Sequence, residues 1–254
     1  MLFRSYASAI NYIRARGGES RLRAAVNRVA PGESAVAISS SSGEQEFGYA
    51  VLAVPFQTAA SLLPLEPPAE PLKADLGHFE PSPITGIHLW FDREITPLPH
   101  AVLLDRTIQW MFQKSKLQPG YRQEGKGSYL ELVVSASKSL VPKSREEVLE
   151  LALRELGEFF PGAKEAKVLK ATVIKEVYAT YSIIPGLDGF RPPAATKWPR
   201  LFLAGDWTAS GWPATMEGAI RSGYLAAEAM TESCGLRGRF LVADLPASGL
   251  MKMF

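Results

Sequence analysis

The sequence has little of three things on which whole classes of function depend: cysteine, charge of one sign, and long apolar runs. Its 254 residues include one cysteine, Cys234, which excludes an intrachain disulfide and a cysteine-rich metal site. Its 28 basic residues against 26 acidic ones give a net charge of +2, so no basic excess is available to bind nucleic-acid phosphates. No apolar run approaches the ~20 residues that span a membrane, and the N-terminal residues do not predict a signal peptide.

Metal and nucleophile motifs are missing as well. His78, His88 and His100 share no metal-ligand spacing, so we expect no metal site. The absence of a G-x-S-x-G motif and of a P-loop argues against a serine hydrolase and an NTPase. The composition, 46% apolar and 21% charged, is that of an ordinary globular chain with one or two domains.

Local patterns predict a mixed α/β (α+β) fold. Residues 84–91 alternate in polarity, which places Ile87 and Leu89 on one face of a strand and His88 and Trp90 on the other. Helices are predicted over 2–16, 56–63, 145–160 and 215–230, and strands over 21–30, 35–39, 47–54, 84–91, 107–112, 128–135, 167–183 and 201–204.

Three stretches carry more specific expectations. Residues 47–54 are almost wholly apolar, which predicts a buried strand. Residues 114–127 are polar and contain glycine, which predicts a loop. Residues 65–83 are rich in proline and poorly periodic, and we expect the main division of the chain there.

The strongest unit is a strand followed by a turn and a helix. The apolar strand 201–204 leads into Gly205 and Asp206, and a Gly-Trp-Pro turn at 211–213 precedes a helix that is rich in small residues. The N-terminus of a helix offers unpaired N–H groups that favour an anion or an electron-rich carbonyl. This pattern predicts a ligand at a strand-to-helix switch, and a plain βα packing unit explains it equally well.

The residues of this unit carry a family resemblance. The stretch LFLAGDWTASGWPATMEGAIRSGYLAAEA, residues 201–229, resembles the C-terminal flavin-binding signature of the FAD-dependent amine oxidase and phytoene desaturase superfamily. The run from Gly205 to Gly223 is most similar to the squalene-associated desaturases, a group that includes the hydroxysqualene dehydroxylases of hopanoid biosynthesis. Residues 84–92, 109–110 and 179–186 are similar to the same group.

The resemblance implies FAD as the cofactor and assigns roles at matching positions. Gly205 and Asp206 would contact the pyrophosphate and ribityl chain of FAD, and Thr215 and Met216 would present backbone groups to the flavin ring. Val26 matches the position that meets the adenine. The full implied set of cofactor-binding residues is Val26, Pro55, Gly205, Asp206, Gly211, Trp212, Thr215, Met216 and Glu217.

The superfamily also has an N-terminal βαβ unit with a G-x-G-x-x-G motif, which this sequence lacks. We therefore expect these residues to be the C-terminal portion of a longer enzyme, which binds FAD poorly without its N-terminal half. A natural half-protein, with that half on a separate chain, is the alternative. The implied domains are a partial FAD-binding domain (1–64), a substrate-binding domain (65–183), a C-terminal FAD-binding segment (184–230) and a tail (231–254).

The implied reaction is the conversion of hydroxysqualene to squalene, by hydride transfer to an allylic carbon as hydroxide leaves. His88, Trp90, Trp110 and Tyr181 are candidates to line a tunnel for this apolar isoprenoid, against the alternative of ordinary structural packing. Neither the pattern nor the resemblance identifies a catalytic residue.

Other functions stay open at this point. A carotenoid-type desaturase and a flavin amine oxidase are alternatives within the superfamily, and a non-catalytic module for apolar ligands or protein interaction is an alternative of another class. We expect a cytoplasmic protein. Because squalene-like substrates dissolve in membranes, the apolar tail residues 240–254 also predict peripheral contact with the inner membrane.

Overall fold

A computed structural model of the chain describes residues 2–64, 69–121 and 127–246, and these confirm the mixed α/β class. The helices are α1 (Leu2–Arg14), α2 (Phe56–Leu62), α3 (Glu70–Leu76), α4 (Lys114–Leu117), α5 (Arg145–Phe159), α6 (Gly162–Glu165) and α7 (Met216–Ser233). The strands are β1 (Val26–Pro31), β2 (Val36–Ser40), β3 (Gly43–Phe47), β4 (Ala50–Ala53), β5 (Pro81–Phe91), β6 (His100–Val102), β7 (Trp110–Gln113), β8 (Ser128–Val134), β9 (Val168–Tyr181) and β10 (Leu201–Ala204).

The chain forms two compact units that are discontinuous in sequence. The first unit contains residues 1–76, 192–211 and 217–254, and the second contains residues 77–191 and 212–216. The segment 184–230 therefore contributes to both units. The functional domain boundaries expected at residues 64, 183 and 230 stay a prediction.

The first unit combines two small sheets with helix α7. Strands β1, β2 and β3 form an antiparallel meander, and β4 pairs with β10 in parallel, with Ala50 opposite Leu201 and Ala53 opposite Ala204. All four residues of β10 are buried, as a strand covered on both faces should be. Helix α7 packs Ala226 against Phe202 of β10.

The second unit is a five-stranded antiparallel sheet with the strand order β6-β7-β8-β5-β9. The predicted alternation in β5 is confirmed, because Ile87 and Leu89 are fully buried while His88 and Trp90 are half-buried. One face of the sheet packs against helix α5, and together they form the core of this unit. That core includes Ile87, Leu89, Phe91, Met111, Leu130, Leu132, Val148, Ala152 and Leu156.

The structure corrects several predictions. The apolar run 47–54 is not one buried strand: Phe47 ends β3, and the strand β4 alternates, with Val51 39% exposed. The stretch 114–127 is not all loop, since α4 occupies its first four residues; residues 122–126 lie outside the described part. The predicted strands at 21–30 and 107–112 begin later, at Val26 and Trp110.

Helix α5 begins with the signals that the sequence shows. The Ser144 side chain accepts a hydrogen bond from the Glu147 amide (3.1 Å), and the Glu147 carboxylate accepts one from the Ser144 amide (2.6 Å). This reciprocal pair is a capping box, which satisfies two N–H groups that the helix itself leaves unpaired. The hydrogen bond from the Ser144 amide lowers the pKa of Glu147.

We expect Ser144→Ala to lower the free energy of unfolding of the second unit by about 1 kcal/mol, since it removes an N-cap acceptor. The Glu147 carboxylate, with its lowered pKa, stabilises the helix above the ordinary carboxyl pKa, and this contribution is lost as the pH falls through the lowered value. Urea unfolding at neutral and acidic pH measures both effects. Ser139→Ala, at an exposed serine of the same unit, is the control and should change stability by less than about 0.5 kcal/mol.

Candidate functional site

The first unit brings two sequence-predicted positions to one edge of its parallel sheet. Because β4 and β10 run in parallel, Pro55 just beyond β4 and the pair Gly205 and Asp206 just beyond β10 follow the carboxyl ends of neighbouring strands. We call these three residues the carboxyl edge. In α/β sheets, ligands bind outside the carboxyl ends of parallel strands.

Close packing at the carboxyl edge depends on Gly205. Its φ is +153°, and a Cβ atom there would lie 2.3 Å from Nε1 of the fully buried Trp207. The indole N–H of Trp207 donates to the Val54 carbonyl (2.9 Å), which ties the ends of β4 and β10 together. The Gly205 amide donates to Oγ of the buried Ser222 in α7 (2.7 Å). The amide is therefore already used, and Gly205 offers a ligand close approach rather than a donor.

Helix α7 has 18 residues, and the N–H groups of its first turn have no acceptors within the helix. Thr215 and Met216 at this point are exposed, Met216 by 75%. Glu217 follows in the first turn and pairs with Arg221 at 3.6 Å. The predicted start of a helix near residue 215 is confirmed, since α7 begins at Met216, and the role of its backbone groups stays a prediction.

A buried arginine that the sequence reasoning missed supports the turn before α7. The Arg191 side chain is 7% exposed, and its guanidinium donates to the Trp212 carbonyl (2.8 Å) and pairs with Asp188 (3.1 Å). It also lies 5.8 Å from the centre of the Tyr181 ring. A single arginine in a proline-rich loop shows no pattern, so nothing in the sequence distinguishes it.

The predicted cofactor-binding residues do not fall in one unit. Val26, 41% exposed in β1, lies in a different sheet of the first unit from the carboxyl edge. Gly211, with φ +74°, also belongs to the first unit. The first unit holds Val26, Pro55, Gly205, Asp206, Gly211 and Glu217, and the second holds Trp212, Thr215 and Met216.

The second unit presents a face rich in aromatic side chains. We call the side of the five-stranded sheet opposite helix α5 the aromatic face, since strand alternation and pairing place these rings together on it. Trp90 stacks on Tyr129 with ring centres 4.3 Å apart, and Trp110 stacks on Phe112 at 5.7 Å. Tyr121 meets Tyr129 edge-on at 5.2 Å. Three of the four tunnel candidates, His88, Trp90 and Trp110, lie on this face.

A polar pair lies within the aromatic face. Nδ1 of His88 and the Tyr129 hydroxyl are 2.8 Å apart and share a hydrogen bond. Burial lowers the pKa of His88, against the opposing charge of Glu131, so the imidazole is neutral at pH 7. Burial also raises the pKa of Tyr129 to about 12. Both groups are therefore neutral, which suits contact with an uncharged ligand.

The fourth tunnel candidate lies apart from the other three. Tyr181 ends β9 and is 4% exposed, and its ring packs edge-on against Phe79 at 5.3 Å. A register shift in the pairing with β5 separates it from the regular part of β9, where Thr172 lies opposite His88. The structure thus separates Tyr181 from the aromatic face, although it contacts Arg191 and so adjoins the turn before α7.

A metal cluster and a membrane-spanning helix are both absent from the described ranges, residues 2–64, 69–121 and 127–246. Within them, no group of histidine, cysteine or acidic residues is arranged to hold a metal ion. No described helix combines the length and apolarity needed to cross a bilayer. The tail has no regular structure over residues 235–246, and Leu245 is 93% exposed. Residues 247–254 lie outside the described part, so membrane contact by the tail stays a prediction.

Comparison with known proteins places these features in a family. The family model described as flavin containing amine oxidoreductase matches residues 2–231. Over 233 residues the chain is 28% identical to a 15-cis-phytoene desaturase from Synechococcus elongatus, covering 87% of the chain and 49% of that protein. Over 179 residues it is 32% identical to a hydroxysqualene dehydroxylase from Sinorhizobium fredii, covering 70% of the chain and 37% of that protein.

Solved structures support the fold. An oxidoreductase from Methanosarcina mazei superposes with a TM-score of 0.65 at 20% identity, covering 87% of this chain and 52% of that one. The chain thus spans about half the length of this structure and of the phytoene desaturase.

Proposed function

Because the chain belongs to the family of flavin-containing amine oxidoreductases, we propose that it forms part of an FAD-dependent oxidoreductase that acts on a long isoprenoid. The aromatic face is the observation that indicates the substrate class. Stacked rings at Trp90–Tyr129 and Trp110–Phe112 offer a hydrocarbon chain a broad apolar surface on a rigid sheet. The carboxylate on this face, Glu131, already pairs with Lys114 at 2.7 Å, which favours an isoprenoid over an amine.

The residues described above fit the cofactor of the family, which is FAD. Asp206 follows β10 at the carboxyl edge, where a carboxylate can accept hydrogen bonds from ribityl hydroxyls. The backbone of Thr215 and Met216, at the start of an 18-residue helix, would face electron-rich atoms of the flavin ring. When bound, FAD supplies hydride transfer, and this chain's residues hold and orient it.

The finer proposal is that the substrate is hydroxysqualene and the product squalene. In this reaction bound FAD, in its reduced form, would supply the hydride that adds to the allylic carbon and would itself be oxidised. The carbon–oxygen bond breaks, and the leaving hydroxide takes up a proton to form water. The aromatic face would align the chain and exclude water from the reacting carbon. The similarity to a hydroxysqualene dehydroxylase supports this proposal, and the similarity to phytoene desaturases keeps carotenoid-type desaturation as the second candidate.

We further propose that a strand–GxGxxG–helix unit outside these 254 residues completes the FAD site, on the same polypeptide or a separate chain. The sequence contains no such motif, and the proposed FAD residues bind only part of a dinucleotide. This unit is also expected to add strands beside β4 and β10, since two parallel strands alone make an unusually small sheet.

The test is reconstitution. The 254-residue chain is purified alone and together with the N-terminal half encoded by the in-frame DNA upstream, and bound flavin is measured by absorbance. We expect stoichiometric FAD only with both halves, and conversion of hydroxysqualene to squalene by that complex once its flavin is reduced chemically. A chain that binds FAD stoichiometrically alone would overturn the need for a second half.

Product analysis with the same complex separates the candidate reactions. Conversion of phytoene instead of hydroxysqualene would establish the second candidate. Apolar-ligand binding with no flavin in either preparation would indicate the non-catalytic module.

A further inference from the structure

The imidazole of His88 lies on the aromatic face with one of its two nitrogens hydrogen-bonded. The Tyr129 hydroxyl occupies Nδ1 of His88, and Nε2 of the same ring makes no hydrogen bond within the part of the chain that the structure describes. His88 is held in place by this bond and by the rings around it, with Trp90 6.3 Å and Tyr129 6.0 Å between ring centres. A half-buried nitrogen that is fixed in place can form a hydrogen bond with a ligand at little entropic cost.

The neighbouring residue leaves room for that ligand. Gly86 is on the same face of β5 as His88, two residues before it. A Cβ atom at Gly86 would lie 3.6 Å from Nε2, in ordinary van der Waals contact, so a side chain there would fill the space beside the nitrogen. The glycine thus keeps one side of Nε2 open.

Two lysines of the neighbouring strands and helix lie against other groups of this face. Lys114 pairs with Glu131 at 2.7 Å, and Lys170 lies 4.8 Å from the centre of the Trp90 ring. Burial keeps His88 neutral at pH 7, as shown above. Nε2 thus lies as a neutral nitrogen beside stacked rings, an arrangement that matches an apolar molecule with a hydroxyl group.

We propose that Nε2 of His88, beside the gap at Gly86, is the binding point for the hydroxyl group of an isoprenoid alcohol. This inference rests on the proposed function and names its substrate class, an alcohol rather than a hydrocarbon. It holds for either tautomer of His88, because a hydroxyl group can both donate to and accept from Nε2. A hydrocarbon would leave Nε2 unpaired, so the alcohol should bind about tenfold more tightly.

The test compares farnesol with farnesene, the hydrocarbon of the same carbon skeleton, in one detergent, using the whole 254-residue chain. Tryptophan fluorescence gives the two affinities, and nitrogen NMR follows the imidazoles, of which the chain has only three. We expect farnesol to bind about tenfold more tightly and to shift the Nε2 resonance of His88. Farnesene should leave that resonance in place.

Single-residue variants then test whether the preference for farnesol depends on His88 and Gly86. His88→Phe should make the two affinities equal, and Gly86→Ala should weaken farnesol binding more than farnesene binding. His78→Phe is the matched control, since His78 is exposed outside the sheet, where it stacks on Phe190, and it should keep the preference for the alcohol. The titration of the unaltered chain does not depend on any variant folding.

Two outcomes contradict different claims. Equal binding of alcohol and hydrocarbon, with no shift at His88, would overturn the hydroxyl site and leave the isoprenoid function standing. Binding of neither molecule would overturn the aromatic face as the substrate surface, and with it both proposals.

Discussion

Gly205→Ala is expected to lower the free energy of unfolding of the first unit by about 3 kcal/mol or more. The new Cβ atom would fall 2.3 Å from Nε1 of Trp207, a distance that real structures do not tolerate. The indole must therefore leave a site in which it is 1% exposed, and it loses its hydrogen bond to Val54. The backbone at φ +153° adds strain for any residue with a side chain.

Urea unfolding followed by tryptophan fluorescence measures this loss, and two other glycines supply controls. Gly211→Ala has the left-handed backbone (φ +74°) but open space around the new atom, so it should cost only about 1 kcal/mol. Gly223→Ala, on an open part of α7, should be neutral or stabilising by up to about 1 kcal/mol. If Gly205→Ala were no worse than Gly211→Ala, the contact with Trp207 would not be what makes glycine necessary.

A comparison of the predicted with the observed helices and strands shows which elements the sequence could predict. Helices α5 and α7 and strands β5 and β10 were predicted because their signals are local: a capping box, a small-residue helix after a turn, and strict alternation. Strand β3 was missed because all five of its residues are exposed and carry no apolar pattern. The strand exists through its pairing with β2, which no local pattern encodes.

The residues of the candidate site also fall into two groups, those with a local sequence signal and those without one. Gly205, Asp206 and the start of α7 were found because one continuous stretch carries them. Tyr129 and Gly86 were missed, because they reach His88 and Trp90 only through sheet register and strand alternation. An aromatic residue in an apolar strand and a glycine in an alternating one look like ordinary core positions until the pairing is known.

Glu155→Ala is expected to have the other large effect, lowering the stability of the second unit by about 3 kcal/mol. Glu155 is 5% exposed on helix α5, and its carboxylate accepts hydrogen bonds from the amides of Ile108 (2.8 Å) and Thr107 (3.3 Å). Removing it leaves the Ile108 amide, on a fully buried residue, without an acceptor, and opens a cavity beside the core. This carboxylate thus holds the segment before β7 against helix α5.

Glu158 is the matched control for this prediction, because it is another glutamate of the same helix with a partner in the same segment. It pairs with Arg106 at 2.6 Å, but both side chains are about 40% exposed, and such surface pairs contribute at most about 1 kcal/mol. Urea unfolding should therefore rank Glu155→Ala well below Glu158→Ala in stability. The stability of Glu155→Gln should fall between that of Glu155→Ala and that of the unaltered chain, since its amide oxygen still accepts from Ile108.

Equal losses of stability for Glu155→Ala and Glu158→Ala would mean that the buried amides find other acceptors. The segment before β7, which leads into Trp110 and the aromatic face, would then be held by the sheet alone.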